Sequence, residues 1–340
     1  MEAQLPAMVS GYVPAQILYA TAELGIADAL ADGPHGHVKV AERTGTEPAA
    51  LRRLLRALVG LGLVEQVDAD RFALTEAGGA LRTAEPGSFR DHVLLSITPE
   101  LWQAWGALTR VVRTGEPWRD PATGLTAHEA ALRDPRLSAL YRTAKAHATG
   151  EFSSGLTKVY DFSRFGTIAD LGGDGGALMA ALLAATPGLH GVLYDLPEAR
   201  GDALATLEAA GVGGRCEVVE RDPAGPVPPG ADAYLINHLV RDVDDDSATA
   251  LLAACRAAMA PEARLLLLET VMPPVLTSAD SASYGLTDLN NLVYTGGRER
   301  TAEEYRRLVE AAGLTHLATI AVPAADGLPD YNVIETEPAR

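Results

Sequence analysis

Asp170-Leu-Gly-Gly-Asp-Gly-Gly176 follows a short apolar stretch, Thr167-Ile-Ala169, and runs directly into the Ala/Leu-rich segment 177–185. A strand, a glycine turn and a helix in that order aim backbone N–H groups and a helix N-terminus at one point. That geometry holds a nucleotide-like ligand. Asp195 closes the next apolar run, Gly191-Val-Leu-Tyr194, where a carboxylate can accept from two ribose hydroxyls. A glycine turn can equally serve only to bring a helix close to a strand. Further polar residues stand at the ends of later apolar runs: Asp222, Asn237, His238, Arg241 and Glu269.

The elements that must position these residues alternate from Asp161 onward. Apolar runs at 167–171, 191–194, 216–219, 233–236 and 264–269 read as strands, with helical patterns between them, notably 198–210 and 247–260. Such alternation demands a mostly parallel sheet covered on both faces. The last pair, 314–322 and 331–335, reads as an added antiparallel hairpin. Ligands in this α/β architecture sit beyond the carboxyl ends of the strands, which gathers Asp170–Gly176, Asp195, Asp222 and Asn237–Asp242 around one cleft. Asp244-Asp245-Asp246 before Ser247 fits a helix N-terminus.

The first hundred residues differ. Apolar spacing predicts a helix over 12–30, a short helix, a turn at Thr44-Gly45-Thr46, and a helix over 48–60. Residues 65–74 read as a two-stranded wing turning at Asp68-Ala69-Asp70. A winged helix can bind DNA, here through Arg52, Arg53 and Arg56, or can serve as a packing module. The formal charge of -17 sets electrostatics against nucleic acid and anionic membranes. Trp102, Trp105, Leu108 and Val112 are spaced for one buried helix face. The division expected is 1–100, 101–160 as a helical connector, and 161–340.

At 47% hydrophobic residues the chain can build a large core. No apolar run approaches the ~20 residues of a membrane helix, and the N-terminus lacks a secretory pattern. Cys216 and Cys255 form neither a disulfide framework nor a metal-ligand spacing. A cytoplasmic protein without metal is expected.

Several blocks together resemble the plant-type small-molecule O-methyltransferases, including the bacterial branch that tailors natural products. They are the winged N-terminal segment, Tyr160-Asp-Phe-Ser-Arg-Phe-Gly166, Tyr194-Asp-Leu-Pro197, Cys216-Glu-Val-Val219, Ala231-Asp-Ala-Tyr234, and Asp288-Leu-Asn290 leading to Thr295-Gly-Gly-Arg-Glu-Arg-Thr301. The resemblance implies a Rossmann-like class I methyltransferase domain with a seven-stranded, mostly parallel sheet. It also implies an N-terminal winged-helix dimerisation domain, a homodimer, S-adenosylmethionine (SAM) as cofactor, and a small natural product as substrate. Asp170, Gly172, Gly176, Asp195, Asp222 and Asn237 fall on its cofactor positions. Tyr284, Asn290, Asn291 and Tyr294 fall on the helix that lines its substrate pocket.

The chain also departs from that pattern. Asp174 replaces the middle glycine of the turn, and Arg221-Asp222-Pro223-Ala224 lacks the aromatic residues of the family's Gly-Asp-Phe-Phe. In Ile236-Asn-His-Leu-Val-Arg-Asp-Val243 the family's Lys is Asn237, its adenine-side Trp is Val243, and its catalytic His is Arg241. Lys145 replaces a Met, and Asn291 another. Glu269 and Glu299 match the acids that orient the missing His, while His238 matches a common structural position.

Arginine cannot act as a base, because it stays protonated. Two cations, Lys145 and Arg241, would oppose the sulfonium of SAM. At ~4 Å and an effective dielectric near 20, one such contact costs about 4 kcal/mol. The expectation drawn from this is a tailoring enzyme repurposed to SAM-independent acid–base chemistry, such as cyclisation, dehydration, isomerisation or rearrangement. Arg241, Asp174, Lys145, Glu269, Glu299 and His238 would be its catalytic groups. A SAM-dependent O-methyltransferase acting on a phenol or enol is the alternative, and a non-enzymatic binding protein the minor one.

Overall fold

A computed structural model describes residues 4–83, 88–220, 225–323 and 330–340, without the side chains of 143–148, 150, 151, 174, 198, 279, 281 and 282. The chain divides into two compact units, Met1–Gln103 and Ala104–Arg340.

In the first unit, Leu51, Leu55 and Leu58 recur at helical spacing along Pro48–Gly60 and are buried. Glu47 caps this helix by accepting from the N–H groups of Ala49 and Ala50, and Pro48 opens it where no N–H is needed. Their partners include Ile26, Leu30, Val40, Val64 and Phe72. Strands β2 (Val64–Gln66) and β3 (Arg71–Leu74) form the expected wing, and β1 (His35–Gly36) adds to β3. Gly25, in the left-handed region at φ 66°, divides the helix expected over 12–30 into Tyr12–Glu23 and Ile26–Ala29. Arg52 pairs with Asp70 of its own wing at 3.0 Å. The single buried face expected for Trp102 to Val112 is not present. Helices Pro99–Gly106 and Leu108–Thr114 break between them, leaving Trp102 40% and Val112 63% exposed.

The second unit is built on a seven-stranded sheet in the order β6-β5-β4-β7-β8-β10-β9. Its strands are β4 (Thr167–Asp170), β5 (His190–Asp195), β6 (Cys216–Glu220), β7 (Ala233–Asn237), β8 (Arg264–Thr270), β9 (Leu314–Val322) and β10 (Tyr331–Pro338). The first five pair in parallel, while β10 lies antiparallel between β8 and β9. Leu265 to Leu268 are all fully buried, because helices cover both faces of β8. Chain order reverses between β4 and β7. The crevice at that reversal lies beyond Asp170 and Asn237, which puts the polar residues of the glycine-turn side and of the Arg241 side at one edge of the sheet.

Gly78, within the helix Glu76–Gly79 that follows the wing, lies against the Leu63 carbonyl. A Cβ there would fall 1.9 Å from that oxygen. Gly78→Ala should lower stability by about 1–3 kcal/mol, as overpacking does, read by denaturant unfolding of the full chain.

Candidate active site

Asp170 ends β4 only 1% exposed, and its Oδ1 accepts from the Gly172 N–H at 2.9 Å. The backbone then turns through Gly173, Gly175 and Gly176, at φ 66°, 65° and 78°. L-residues with a side chain rarely adopt these angles. At Gly173 a Cβ would lie 2.2 Å from the Asp195 carboxyl carbon, so the turn is pressed onto the acid that closes β5. Asp195 in turn accepts from Leu196 N (2.8 Å) and Gly175 N (3.4 Å). Asn237 ends β7 at 1% exposure, and a Cβ on Gly172 would be 3.6 Å from its carbonyl oxygen. The left-handed positions of the turn are thus filled by glycine, with Asp174 standing between them. The side chains of Asp174 and Lys145, and the whole of Asp222, lie outside the described residues.

After β7 the chain passes through His238, held at φ 54°, into a tight turn over Val240–Asp242. Arg241 leaves this turn half-buried. Its Nη2 is 2.5 Å from Glu299 Oε1 and 3.4 Å from Asn291 Oδ1, and its Nη1 is 3.4 Å from His238 Nδ1. Guanidinium can only donate, so in this contact Nδ1 of His238 is the acceptor. Burial works against the charge of Arg241. Glu299, then Glu269 and Asp242, outweigh it and hold the guanidinium protonated above its ordinary range. The ion pair is made with Glu299, one of the two acids that the family resemblance aligns with the missing His.

Both carboxylate oxygens of Glu299 are engaged. Thr270 Oγ1 donates to its Oε2, Asn291 Nδ2 to its Oε1 at 3.1 Å, and its own N–H donates to Asp288 at 2.8 Å. Glu269, fully buried on β8, accepts from Val240 N at 2.9 Å. Desolvation pushes its carboxyl up to about 8, against the pull of Arg241. Asn291, buried on the helix Leu286–Tyr294, therefore serves the ion pair, while Asn290 of that helix is half-buried and outside the hydrogen-bonded cluster among the described residues. Tyr294 meets His128 edge-on at 5.0 Å, and His128 meets Tyr141 at 5.6 Å. Tyr284 lies just before that helix, its phenol pushed up by burial and then by Asp330.

Two supports of this site escaped sequence reasoning. Arg300 is fully buried and donates to the carbonyls of Val240 (2.6 Å) and Val243 (2.9 Å) and to Asp245 (2.9 Å). It holds the Arg241 turn from beneath. Gly297 admits the same turn, since a Cβ there would lie 2.1 Å from the Arg241 carbonyl. Both stand in Thr295-Gly-Gly-Arg-Glu-Arg-Thr301, whose glycines and alternating charges were the available signal. Among the described residues no group of three or more His, Cys, Asp or Glu could hold a metal, and no helix is long and apolar enough to cross a membrane.

Residues 105–315 match the O-methyltransferase domain, and residues 7–83 the O-methyltransferase dimerisation domain. The chain belongs to the O-methyltransferase family. It is 38% identical to O-demethylpuromycin-O-methyltransferase of Streptomyces alboniger, over 97% of this chain and 88% of that one. The solved mitomycin 7-O-methyltransferase MmcR superposes with a TM-score of 0.88 at 32% identity, covering 99% of this chain and 98% of that one. An O-methyltransferase from neocarzinostatin biosynthesis, solved with S-adenosyl-L-homocysteine (SAH) and 1,4-dihydroxy-2-naphthoic acid, superposes with a TM-score of 0.83 at 29% identity over 96% of both chains.

These findings overturn the expectation of SAM-independent cyclisation, dehydration, isomerisation or rearrangement. The relatives of this family member are methyltransferases, and nothing in the comparison favours a non-methylating cyclase or isomerase. The physical reason the expectation failed lies in Arg241. Read from sequence it was a cation set against a sulfonium, whereas in the fold its charge is matched by Glu299 at 2.5 Å.

Glu269 makes stability depend on pH. Its folded-state pKa lies above the ordinary 4.5, so its contribution is full below that value and is lost as pH rises to about 8. Glu269→Gln is neutral throughout. Its Tm should rise relative to wild type across that window and stay a constant amount higher above it, checked by thermal melts in buffers spanning the range.

Proposed function

We propose that this chain methylates a hydroxyl oxygen of a small aromatic or enolic natural product, with SAM as donor and as a homodimer. The observation that carries this reading is the glycine turn pressed onto Asp195 at the reversal of strand order. Its left-handed glycines leave no Cβ to obstruct a ligand, and the side chains bonded to its N–H groups, Asp170 and Asp195, are carboxylates. Such a turn suits a ligand that brings ribose hydroxyls and a positive charge. Asp195 would take the ribose hydroxyls, and the turn with Asn237 would take the amino-acid portion. When bound, SAM supplies an electrophilic methyl group.

The residues around Arg241 then orient the acceptor. The polar face of Asn291 and Arg241 lies on one side, and the aromatic side chains of Tyr294, His128 and Tyr141 lie farther along. Two kinds of evidence support the reading beyond the geometry: the methyltransferase names of the puromycin and mitomycin relatives, and the SAH held by the neocarzinostatin one. The homodimer is supported by the dimerisation-domain match and by Leu5, Met8, Val9 and Tyr12, apolar side chains that stand exposed at the start of the described chain.

Calorimetric titration with SAH tests the proposal. Wild type should bind in the micromolar range, and Asp195→Ala should bind at least about tenfold more weakly, a loss of ~1.4 kcal/mol. Absence of binding to wild type up to millimolar SAH would overturn it.

A further inference from the structure

Around Arg241, neither the acids Glu299 and Glu269 nor the phenol of Tyr305 is set up to accept a proton from a substrate. The guanidinium itself is always charged. Glu299 is 1% exposed, and both of its oxygens already accept hydrogen bonds. Glu269 lies behind Val240, fully buried, and stays protonated until about pH 8. Tyr305 is buried beside these acids, and its phenol is pushed well above the usual range. His238 offers Nδ1 to Arg241 and has Tyr331 packed edge-on against its ring at 4.8 Å. Asp242 is the remaining charge acting on the cluster from the same turn.

A neutral base at this position would become a cation only after it had taken the proton. Here the cation is permanent, so the resting site already has the charge distribution that would otherwise follow deprotonation. The accessible end of the ion pair is also the positive one: the Arg241 side chain is 14% exposed and that of Glu299 is 1% exposed. Three acceptors among the described residues meet Arg241. A guanidinium has five N–H groups, which leaves donors for a further oxygen anion.

We infer that the acceptor oxygen enters this site already ionised, as the anion of an acidic phenol or enol, with Arg241 as its counterion. The assignment rests on the methyl-transfer reading and narrows its substrate class. The step balances without a proton. A lone pair of the anionic oxygen forms the new O–CH3 bond, the electron pair of the broken S–CH3 bond stays on sulfur, and the positive and negative charges cancel.

The whole chain carries a charge of -17, so any preference for an anion must come from a local cation. The test is calorimetric titration of the SAH-loaded protein with 2-naphthoate and with its neutral isostere 2-naphthamide. Wild type should favour 2-naphthoate by at least about tenfold, Arg241→Gln should reduce that ratio to within about twofold, and Arg241→Lys should keep part of it. Equal binding of the two probes to wild type, no binding of 2-naphthoate, or a preference that survives Arg241→Gln would sink the counterion assignment while leaving methyl transfer standing. If Arg241→Gln does not fold, the wild-type ratio and Arg241→Lys decide. Failure of wild type to take up SAH would sink the methyl-transfer reading, and this assignment with it.

Discussion

A guanidinium buried at the carboxyl edge of a sheet must be matched, because an unpaired charge there costs several kcal/mol. Arg241 is matched by Glu299, and much of the surrounding structure serves that pair. Asn291 donates to one partner and accepts from the other, and Thr270 closes the far oxygen of Glu299. Arg300 and Gly297 let the Arg241 turn descend close enough for the pair to form. The helix Leu286–Tyr294 is thereby joined to the loop after β7 by polar contacts rather than by apolar packing alone.

The other half of the crevice depends on the glycine turn. Its close approach to Asp195 needs glycine at the left-handed positions, and the buried carboxylate of Asp170 holds the first N–H of the turn in place. The two halves meet because β4 and β7 are neighbours across the point where chain order reverses. On the proposed reading, the crevice combines a donor-binding turn with a permanent cation at the position that the family resemblance assigns to a base. One family scaffold can in this way keep its donor chemistry and change what it requires of the acceptor.

Much of the architecture was legible from local pattern. The Pro48–Gly60 helix follows from leucines at helical spacing and a proline at its first position, and the β8 strand from an unbroken leucine run. The glycine turn was legible because residues with a side chain rarely adopt left-handed backbone angles, whereas His238 adopts one with no such signal in the sequence. The Trp102–Val112 face was not, because periodicity shows that residues share a face but not what covers it. Nor was the burial of Arg300. An arginine in a charged loop carries the same local signature whether it lies on the surface or beneath a turn.

By itself the sequence determined the strand–helix alternation, the glycine turn with its flanking acids, the family resemblance and the absence of a proton acceptor at Arg241. These depend on residue type and on near neighbours along the chain. Only the tertiary structure decided which carboxylate neutralises Arg241, and so whether a cation there repels a cofactor or is accommodated. That choice rests on distances between residues far apart in the chain and on the desolvation that makes an ion pair or a buried acid matter. Neither quantity exists until the sheet and its loops have closed around them.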